Sequence, residues 1–156
     1  KEIEEFLKVN QYRKLGMYLP LPDEVNIREL FESEWIVDNC EIYLPRWIEN
    51  QKPVEEMSFY LYEDEKNLES IEVFNQSMPQ IKKTKIGIPD FILVPGMAFT
   101  KEGFRLGRGK GYYDKYLAGK SCFRAGICFA EQMIKELPLG KFDQKLDQVF
   151  YARESS

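Results

Sequence analysis

A glycine-rich segment between an apolar run and a predicted helix is the feature that most constrains the fold of this chain. Residues 106–114 read Leu-Gly-Arg-Gly-Lys-Gly-Tyr-Tyr-Asp, so three glycines alternate with two cations. Glycine allows backbone N–H groups to turn towards a ligand and lets that ligand approach the main chain. The apolar pattern after Gly111 predicts a helix start, which adds a helix N-terminus to the amides and cations. The segment therefore predicts an anion site, most simply for phosphates; the alternative is a flexible turn with solvated cations.

Positive charge is concentrated in the half of the chain that carries this segment. Residues 1–80 contain 18 acidic and 8 basic side chains, residues 81–156 contain 8 acidic and 14 basic ones, and the formal net charge is −4. A duplex-binding protein usually has a broader basic surface and a higher net positive charge. We therefore expect a small anionic ligand at the glycine segment and no nucleic-acid partner.

The composition excludes several kinds of chemistry. The chain has no histidine, which excludes Ser-His-Asp and Cys-His catalysis and most transition-metal sites. Any bound metal is therefore expected to be a hard cation held by carboxylates and phosphates, with Mg²⁺ the natural choice. Cys40, Cys122 and Cys128 are odd in number and lack CxxC spacing, which favours reduced core thiols in an intracellular protein. No apolar run approaches membrane-spanning length, so no membrane partner is expected.

Predicted strands alternate with predicted helices along most of the chain. Apolar periodicity predicts helices over residues 2–9, 27–39, 111–117 and 131–137, and strands over residues 14–19, 41–44, 57–62, 91–94, 123–129 and 148–151. Pro45 is expected to end the strand at 41–44, and residues 64–85 are expected to be irregular. The pattern predicts a single α/β domain over residues 1–156, a three-layer α/β/α arrangement around a largely parallel sheet. Ligands of such sheets bind beyond the carboxyl ends of the strands, where the glycine segment is placed.

An ordered set of motifs resembles one enzyme family. Val-Pro-Gly-Met-Ala-Phe at residues 94–99, Gly103 and residues 105–114 resemble the 5-formyltetrahydrofolate cyclo-ligase family, also called 5,10-methenyltetrahydrofolate synthetase. The match extends, in the family's order, to residues 19–24, 44–46, 126–132 and 142–149. The resemblance covers most of the chain and implies a cyclo-ligase-like fold.

The resemblance implies an enzyme that uses ATP and Mg²⁺. The family converts 5-formyltetrahydrofolate irreversibly to 5,10-methenyltetrahydrofolate and releases ADP and phosphate. The formyl oxygen takes the terminal phosphoryl group of ATP, the N10 nitrogen of the folate attacks, and phosphate departs as the ring closes. Because the substrate supplies both nucleophiles, the protein needs no histidine base, and its task is positioning and charge neutralisation.

The resemblance also implies roles for individual residues. The residues expected to hold ATP are Arg105, Gly107, Arg108, Gly109, Lys110, Gly111, Tyr112 and Asp114. The residues expected to contact the folate are Leu19, Glu24, Arg46, Met97, Tyr112 and Tyr113. The expected catalytic residues are Arg108, Lys110 and Tyr113, the two cations because they stabilise charge at the transferring phosphoryl group. The expected Mg²⁺ ligands are Asp114 and Asp143. Of the two adjacent tyrosines, one could face the site while the other packs in the core.

Each of these assignments has a structural alternative. Glu24 could be a solvated turn residue, and Arg46 could simply end a strand. Asp143 could be a loop carboxylate or a cap. Asp114 could be an ordinary first-turn carboxylate that the helix dipole stabilises.

Two departures from the family pattern leave rival functions open. Family members usually begin with a basic helix that contacts ATP; this chain is expected to lack it and to bind ATP weakly without it. Phe142 stands where many members have histidine. The rivals are a nucleotide- or phosphate-binding regulatory module that has lost catalysis, and a sugar-phosphate isomerase-like enzyme. We expect a monomer in the cytoplasm, or in an organelle if a presequence was removed, that acts on folate with or without a polyglutamate tail.

Overall fold

The computed structural model describes residues 2–21, 24–73, 75–107, 111–137 and 144–152. The helices in these residues are α1 (Glu2–Asn10), α2 (Arg28–Glu32), α3 (Glu34–Asn39) and α4 (Tyr112–Leu117). The strands are β1 (Lys14–Gly16), β2 (Glu41–Glu49), β3 (Lys52–Tyr62), β4 (Leu68–Val73), β5 (Gln76–Ile81), β6 (Ile86–Gly87), β7 (Phe91–Val94), β8 (Ala98–Phe99), β9 (Arg105–Leu106), β10 (Phe123–Cys128) and β11 (Gln148–Tyr151). Single 3-10 turns occur at Glu65–Asn67 and Ala130–Gln132. No helix of this part of the chain has the length and apolar character needed to span a membrane.

Seven strands form the central sheet, in the order β11-β10-β7-β1-β2-β3-β6. Neighbouring strands from β11 to β2 are parallel, and β3 and β6 extend the sheet in antiparallel fashion. β1 and β7 are neighbours, but the chain continues from β1 to β2 on one side and from β7 to β10 on the other. This reversal is the topological switch point, where open α/β sheets bind their ligands. The predicted α/β fold with a largely parallel sheet is confirmed.

Alternating side chains of the central strands contribute to two hydrophobic clusters, one on each face of the sheet. Phe91 and Leu93 of β7 belong to the cluster that includes residues of α1 and α3, whereas Ile92 and Val94 belong to the cluster that includes residues of α4. All of β7 is buried, as expected for a central strand that is covered on both faces. Cys128 lies in the second cluster, and all three cysteines are free thiols, as predicted.

The helix predicted over residues 27–39 is divided into two short helices. Ser33 ends α2 with an extended backbone, at φ −61° and ψ 120°. Its hydroxyl accepts the N–H of Ile36 at 3.3 Å and so caps α3. Serine competes with the helical backbone through such bonds, which apolar periodicity does not report.

The prediction of a helix over residues 131–137 is wrong. A single 3-10 turn ends at Gln132, and the N–H of Ile134 then donates to the carbonyl of Phe99 in β8 at 2.8 Å. The side-chain carbonyl of Gln132 accepts the N–H of Phe129 at 2.9 Å and closes the turn. Contact with β8 therefore overrides the weak local helical preference.

The boundaries of four strands also differ from prediction, since β3 already begins at Lys52 and β10 ends at Cys128, and a hairpin replaces the predicted irregular segment. β1 ends at Gly16, whereas β2 continues through Pro45 to its last residue, Glu49. β1 pairs with β2 only as far as Tyr43, so the proline lies beyond the part of β2 that is paired on both sides, where a missing N–H is tolerated. Within residues 64–85, predicted to be irregular, β4 and β5 form an antiparallel hairpin that packs onto β2.

Candidate active site

Loops that follow β1 and β7 meet at the carboxyl edge of the sheet, at the switch point. The loop after β1 carries Leu19 and Glu24. The loop after β7 carries Met97 and, beyond the β8–β9 hairpin, Gly107, and it leads to α4. Sheet order thus brings predicted site residues from distant parts of the sequence to the same edge. The predicted site residues that lie outside the described residues are Arg108, Gly109, Lys110 and Asp143.

Glu24 lies in a tight turn near Tyr18, which is buried, and Tyr113, which is partly buried. Its N–H donates to the carbonyl of Leu21 at 2.9 Å, and its carboxylate accepts the N–H of Leu21, also at 2.9 Å. The hydroxyl of Tyr18 donates to the carbonyl of Val25 at 3.1 Å. Burial raises the pKa of Tyr18 and of Tyr113, and the negative charge of Glu24 raises both pKa values further. Glu24 and the two phenols therefore form one electrostatic cluster.

Arg105 connects the start of the loop after β7 with α4. Its Nη1 donates to the carbonyl of Pro95 at 2.9 Å, and its guanidinium carbon lies 5.3 Å from the centre of the Tyr113 ring. The positive charge lowers the pKa of Tyr113, although the effect of burial is larger. A Cβ at Gly107 would lie 2.8 Å from the same Nη1, so glycine leaves room for the guanidinium. Arg105 thus holds the beginning of the glycine segment against α4.

The glycine segment leads directly into α4. Gly111, the residue before the helix, has φ 68° and ψ 17°, a left-handed conformation that favours glycine, and no atom of the described residues lies within 4 Å of the point where a Cβ would project. In the first turn, Oδ1 of Asp114 accepts the N–H of Gln144 at 3.0 Å. The described residues contain no group of three or more His, Cys, Asp or Glu side chains that could hold a metal ion. The carboxylate of Asp114 nevertheless offers the oxygen donors that Mg²⁺ prefers.

Apolar side chains flank this edge of the sheet. Met97 and Leu106 are 42% and 44% exposed, and the N–H of Met97 donates to the carbonyl of Leu106 at 2.8 Å. Ile134, which lies within the helix wrongly predicted over residues 131–137, is 38% exposed. Leu19 and Tyr112 are half-buried and pack against the hydrophobic clusters. Exposed apolar groups beside a few polar ones are typical of small-molecule sites. Leu106 begins the glycine segment but was assigned no role from the sequence, and Ile134 lies outside the quoted motifs.

Arg46 makes its described contacts with the β4–β5 hairpin and with its own strand. Its Nε donates to Glu49 at 3.1 Å, and its Nη1 donates to Glu69 and to the carbonyl of Ile81, both at 2.8 Å. The side chain is only 11% exposed. These bonds join β2 to the hairpin, and the predicted role of Arg46 towards an anionic ligand stays a prediction.

Tyr18 joins the site although no motif indicated it. The side chain is 3% exposed. The one signal of this position that the sequence offers is that Tyr18 directly follows Met17, near the carboxyl end of β1. Periodicity predicts that such a tyrosine is buried, but it does not predict which loop its hydroxyl holds.

Comparison with known proteins agrees with this arrangement. A model described as the 5-formyltetrahydrofolate cyclo-ligase family matches residues 1–152. The chain belongs to this family. A 5-formyltetrahydrofolate cyclo-ligase from Mus musculus is 43% identical over 70 residues, which cover 40% of this chain and 34% of the mouse protein. A probable 5-formyltetrahydrofolate cyclo-ligase from Schizosaccharomyces pombe is 29% identical over 165 residues, which cover 94% of this chain and 78% of that protein.

Solved structures of similar proteins confirm the cyclo-ligase fold. The 5,10-methenyltetrahydrofolate synthetase from Aquifex aeolicus matches with a TM-score of 0.75 and 27% identity, over 96% of this chain and 74% of that one. The synthetase from Mycoplasma pneumoniae matches with a TM-score of 0.69 and 22% identity, over 96% of this chain and 79% of that one, and shows the fold alone. The predicted family, with its class of enzyme, is therefore confirmed.

Proposed function

We propose that this chain catalyses the ATP- and Mg²⁺-dependent conversion of 5-formyltetrahydrofolate to 5,10-methenyltetrahydrofolate, with release of ADP and phosphate. Membership of the cyclo-ligase family over residues 1–152 supports this activity. The observation that carries the proposal is the convergence of Glu24, Tyr113 and Arg105 beside the start of α4, at the switch point. A carboxylate suited to a pterin and a segment suited to phosphates then lie at the same edge.

Glu24 binds the pterin ring, whose amino and amide N–H groups suit a carboxylate. The bond from the N–H of Leu21 orients this carboxylate before the ligand arrives. Leu19 and Met97 contact the apolar part of the folate. Burial and Glu24 keep the pKa of Tyr113 well above its usual range, so its hydroxyl stays protonated and acts as a hydrogen-bond donor, not as a base.

The glycine segment binds the phosphates of ATP. The residues assigned to ATP are Arg105, Gly107, Arg108, Gly109, Lys110, Gly111, Tyr112 and Asp114. None of the described residues fills the space beside Gly111, which suits a ligand that lies close to the main chain. Arg108 and Lys110 stabilise the negative charge that shifts during phosphoryl transfer.

Asp114 and Asp143 hold Mg²⁺ in this proposal. Asp114 bonds to the N–H of Gln144, the residue that follows Asp143 in the sequence, which supports a shared role for the two carboxylates. Oxygen donors suit a hard cation, and bound Mg²⁺ neutralises charge on the phosphates.

The reaction needs no nucleophile from the protein. The formyl oxygen bonds to the terminal phosphorus of ATP and ADP leaves. The N10 amine of the folate then forms the new C–N bond and loses its proton, and phosphate leaves with the formyl oxygen. The side chains orient the reactants and stabilise charge, and this orientation can lower the barrier substantially.

The near-ultraviolet absorbance of the methenyl product tests the proposal. The protein is mixed with 5-formyltetrahydrofolate, Mg²⁺ and ATP, and each component is omitted in turn. We expect product only when all are present. Calorimetric binding of ATP without turnover would favour the regulatory-module alternative. Turnover of a sugar phosphate without ATP would favour the isomerase-like one.

Replacement of Lys110 by alanine tests the assignment of the glycine segment. Loss of preorganised charge at a transferring phosphoryl group should lower kcat by about 10²–10³-fold. Lys115→Ala is the matched control, because this exposed lysine of α4 lies outside the proposed site. A Lys110→Ala variant with near-wild-type kcat would show that this cation does not act on the phosphoryl group.

A further inference from the structure

We infer that Tyr18 is a positioning residue, which holds Glu24 in the orientation that binds the folate. The inference rests on the proposed function, because it concerns how Glu24 meets its ligand. Tyr18 lies two residues beyond the end of β1 at the switch point, and it is almost completely buried. Its ring packs in the cluster that also contains Val25 and Ile27.

The hydroxyl of Tyr18 anchors the chain on the C-terminal side of Glu24. It donates to the carbonyl of Val25, the next residue, at 3.1 Å. The side chains of Val25 and Ile27 are 5% and 2% exposed, so this stretch of main chain is also held by apolar burial. The peptide group that follows Val25, one residue beyond Glu24, is therefore attached to the chain that leaves the central strand β1.

The carboxylate of Glu24 is attached to its own turn. The N–H of Leu21 donates to the carboxylate, and the N–H of Glu24 donates to the carbonyl of Leu21, both at 2.9 Å. Because the side chain is bound to the turn, its direction follows the orientation of the turn. A displacement of the Val25 carbonyl is then passed on to the carboxylate, although Tyr18 itself need not touch the ligand.

The charges in the cluster keep this link intact. Burial raises the pKa of Tyr18 far above its usual value, and the negative charge of Glu24 raises it further, so the phenol remains a hydrogen-bond donor. The bond from Tyr18 to the carbonyl of Val25 is therefore kept at neutral pH.

Tyr18→Phe removes the hydroxyl and leaves the ring in the core. Loss of one net hydrogen bond corresponds to an about 5-fold change in an equilibrium. We expect the KM for 5-formyltetrahydrofolate to rise about 5-fold, while kcat and the KM for ATP change by less than about 2-fold. Tyr116→Phe is the matched control. Tyr116 is also buried, at 9% exposure, but its hydroxyl has no hydrogen-bond partner among the described residues, so its loss should leave both KM values unchanged.

A second comparison separates positioning from general loosening of the fold. If Tyr18 acts through Glu24, Tyr18→Phe should add less than about 2-fold to the KM for folate in a Glu24→Gln background. An unchanged KM in Tyr18→Phe, or the same rise in both backgrounds, would overturn the inference. Calorimetric titration with 5-formyltetrahydrofolate supplies the same ratios as dissociation constants. If the wild-type protein binds 5-formyltetrahydrofolate but makes no product, the proposed reaction is contradicted, and the dissociation constants of the variants still test the role of Tyr18. If the wild-type protein does not bind 5-formyltetrahydrofolate, both the proposed function and the inference are contradicted.

Discussion

Gly103 is expected to be a position where one methyl group disturbs both stability and the candidate site. It lies in the turn between β8 and β9 with φ +100°, and its N–H donates to the carbonyl of Thr100 at 3.1 Å. The backbone of Leu146 crosses directly against it, with the N–H of Leu146 donating to the carbonyl of Gly103 at 2.7 Å. A Cβ at this position would overlap the carbonyl oxygen of Leu146.

The expected cost of Gly103→Ala has three parts. A non-glycine residue at this φ costs about 1–3 kcal/mol. Overlap with backbone, which cannot rotate away as a side chain can, costs about a further 1–3 kcal/mol. Weakening of the bond from Leu146 adds about 1 kcal/mol. We expect a loss of about 3–7 kcal/mol in the free energy of unfolding, or about 10–20 °C in Tm for a chain of this size.

Urea unfolding followed by tryptophan fluorescence measures this loss, with Gly119→Ala as the matched control. Gly119 also has a positive φ, +78°, but no atom of the described residues lies within 4 Å of the point where its Cβ would project, so only about 1–2 kcal/mol of backbone strain is expected. Equal losses in the two variants would refute the argument from close approach. Because Leu146 lies two residues from Gln144, which bonds to Asp114, Gly103→Ala should also raise the Mg²⁺ concentration needed for half-maximal turnover.

Two further variants test features away from the site. Gln80, 1% exposed, accepts the N–H groups of Trp47 and Ile48 and donates to the carbonyl of Ile48. Gln80→Met should therefore lower the free energy of unfolding, measured with urea, by about 2–4 kcal/mol. Gln76 is exposed on the same strand, so Gln76→Met is the control and should change the free energy of unfolding little. Equal losses in the two variants would contradict the role of these hydrogen bonds. Burial raises the pKa of Tyr116 from 10.0 to about 12, so its stabilising effect is complete below pH 10 and is lost as the pH rises through about 12. Between these pH values the free energy of unfolding of the wild type should fall by about 2 kcal/mol more than that of Tyr116→Phe. If the free energies of the two proteins fall in parallel with pH, this prediction is contradicted.

The local sequence pattern was sufficient to predict the limits of an element where that element is apolar and clearly bounded. The strands predicted over residues 91–94 and 148–151 have the observed limits, and the first of them lies between Pro89 and Pro95. Prediction was wrong over residues 131–137, because pairing with β8 competes with a weak helical preference. It also missed the β4–β5 hairpin, whose polar strands are held by long-range bonds and not by an apolar stripe.

The candidate site shows the same division. The glycine segment and the motifs around it were sufficient to predict the family, whereas phosphate binding by the segment and pterin binding by Glu24 stay predictions. The partners of these residues could not be predicted from the sequence, since no local pattern links Tyr18 to Val25 or Asp114 to Gln144.

The sequence by itself determined the family, the alternation of strands and helices, and a chemistry that operates without histidine. Only the tertiary structure decided that Glu24 shares a cluster with Tyr18 and Tyr113, and that the bonds of Arg46 go to the β4–β5 hairpin. The physical reason is that periodicity reports how one element is buried, whereas the order of strands in the sheet decides which loops meet. Side-chain bonds between those loops then depend on contacts across long stretches of sequence, which only the packed fold brings together.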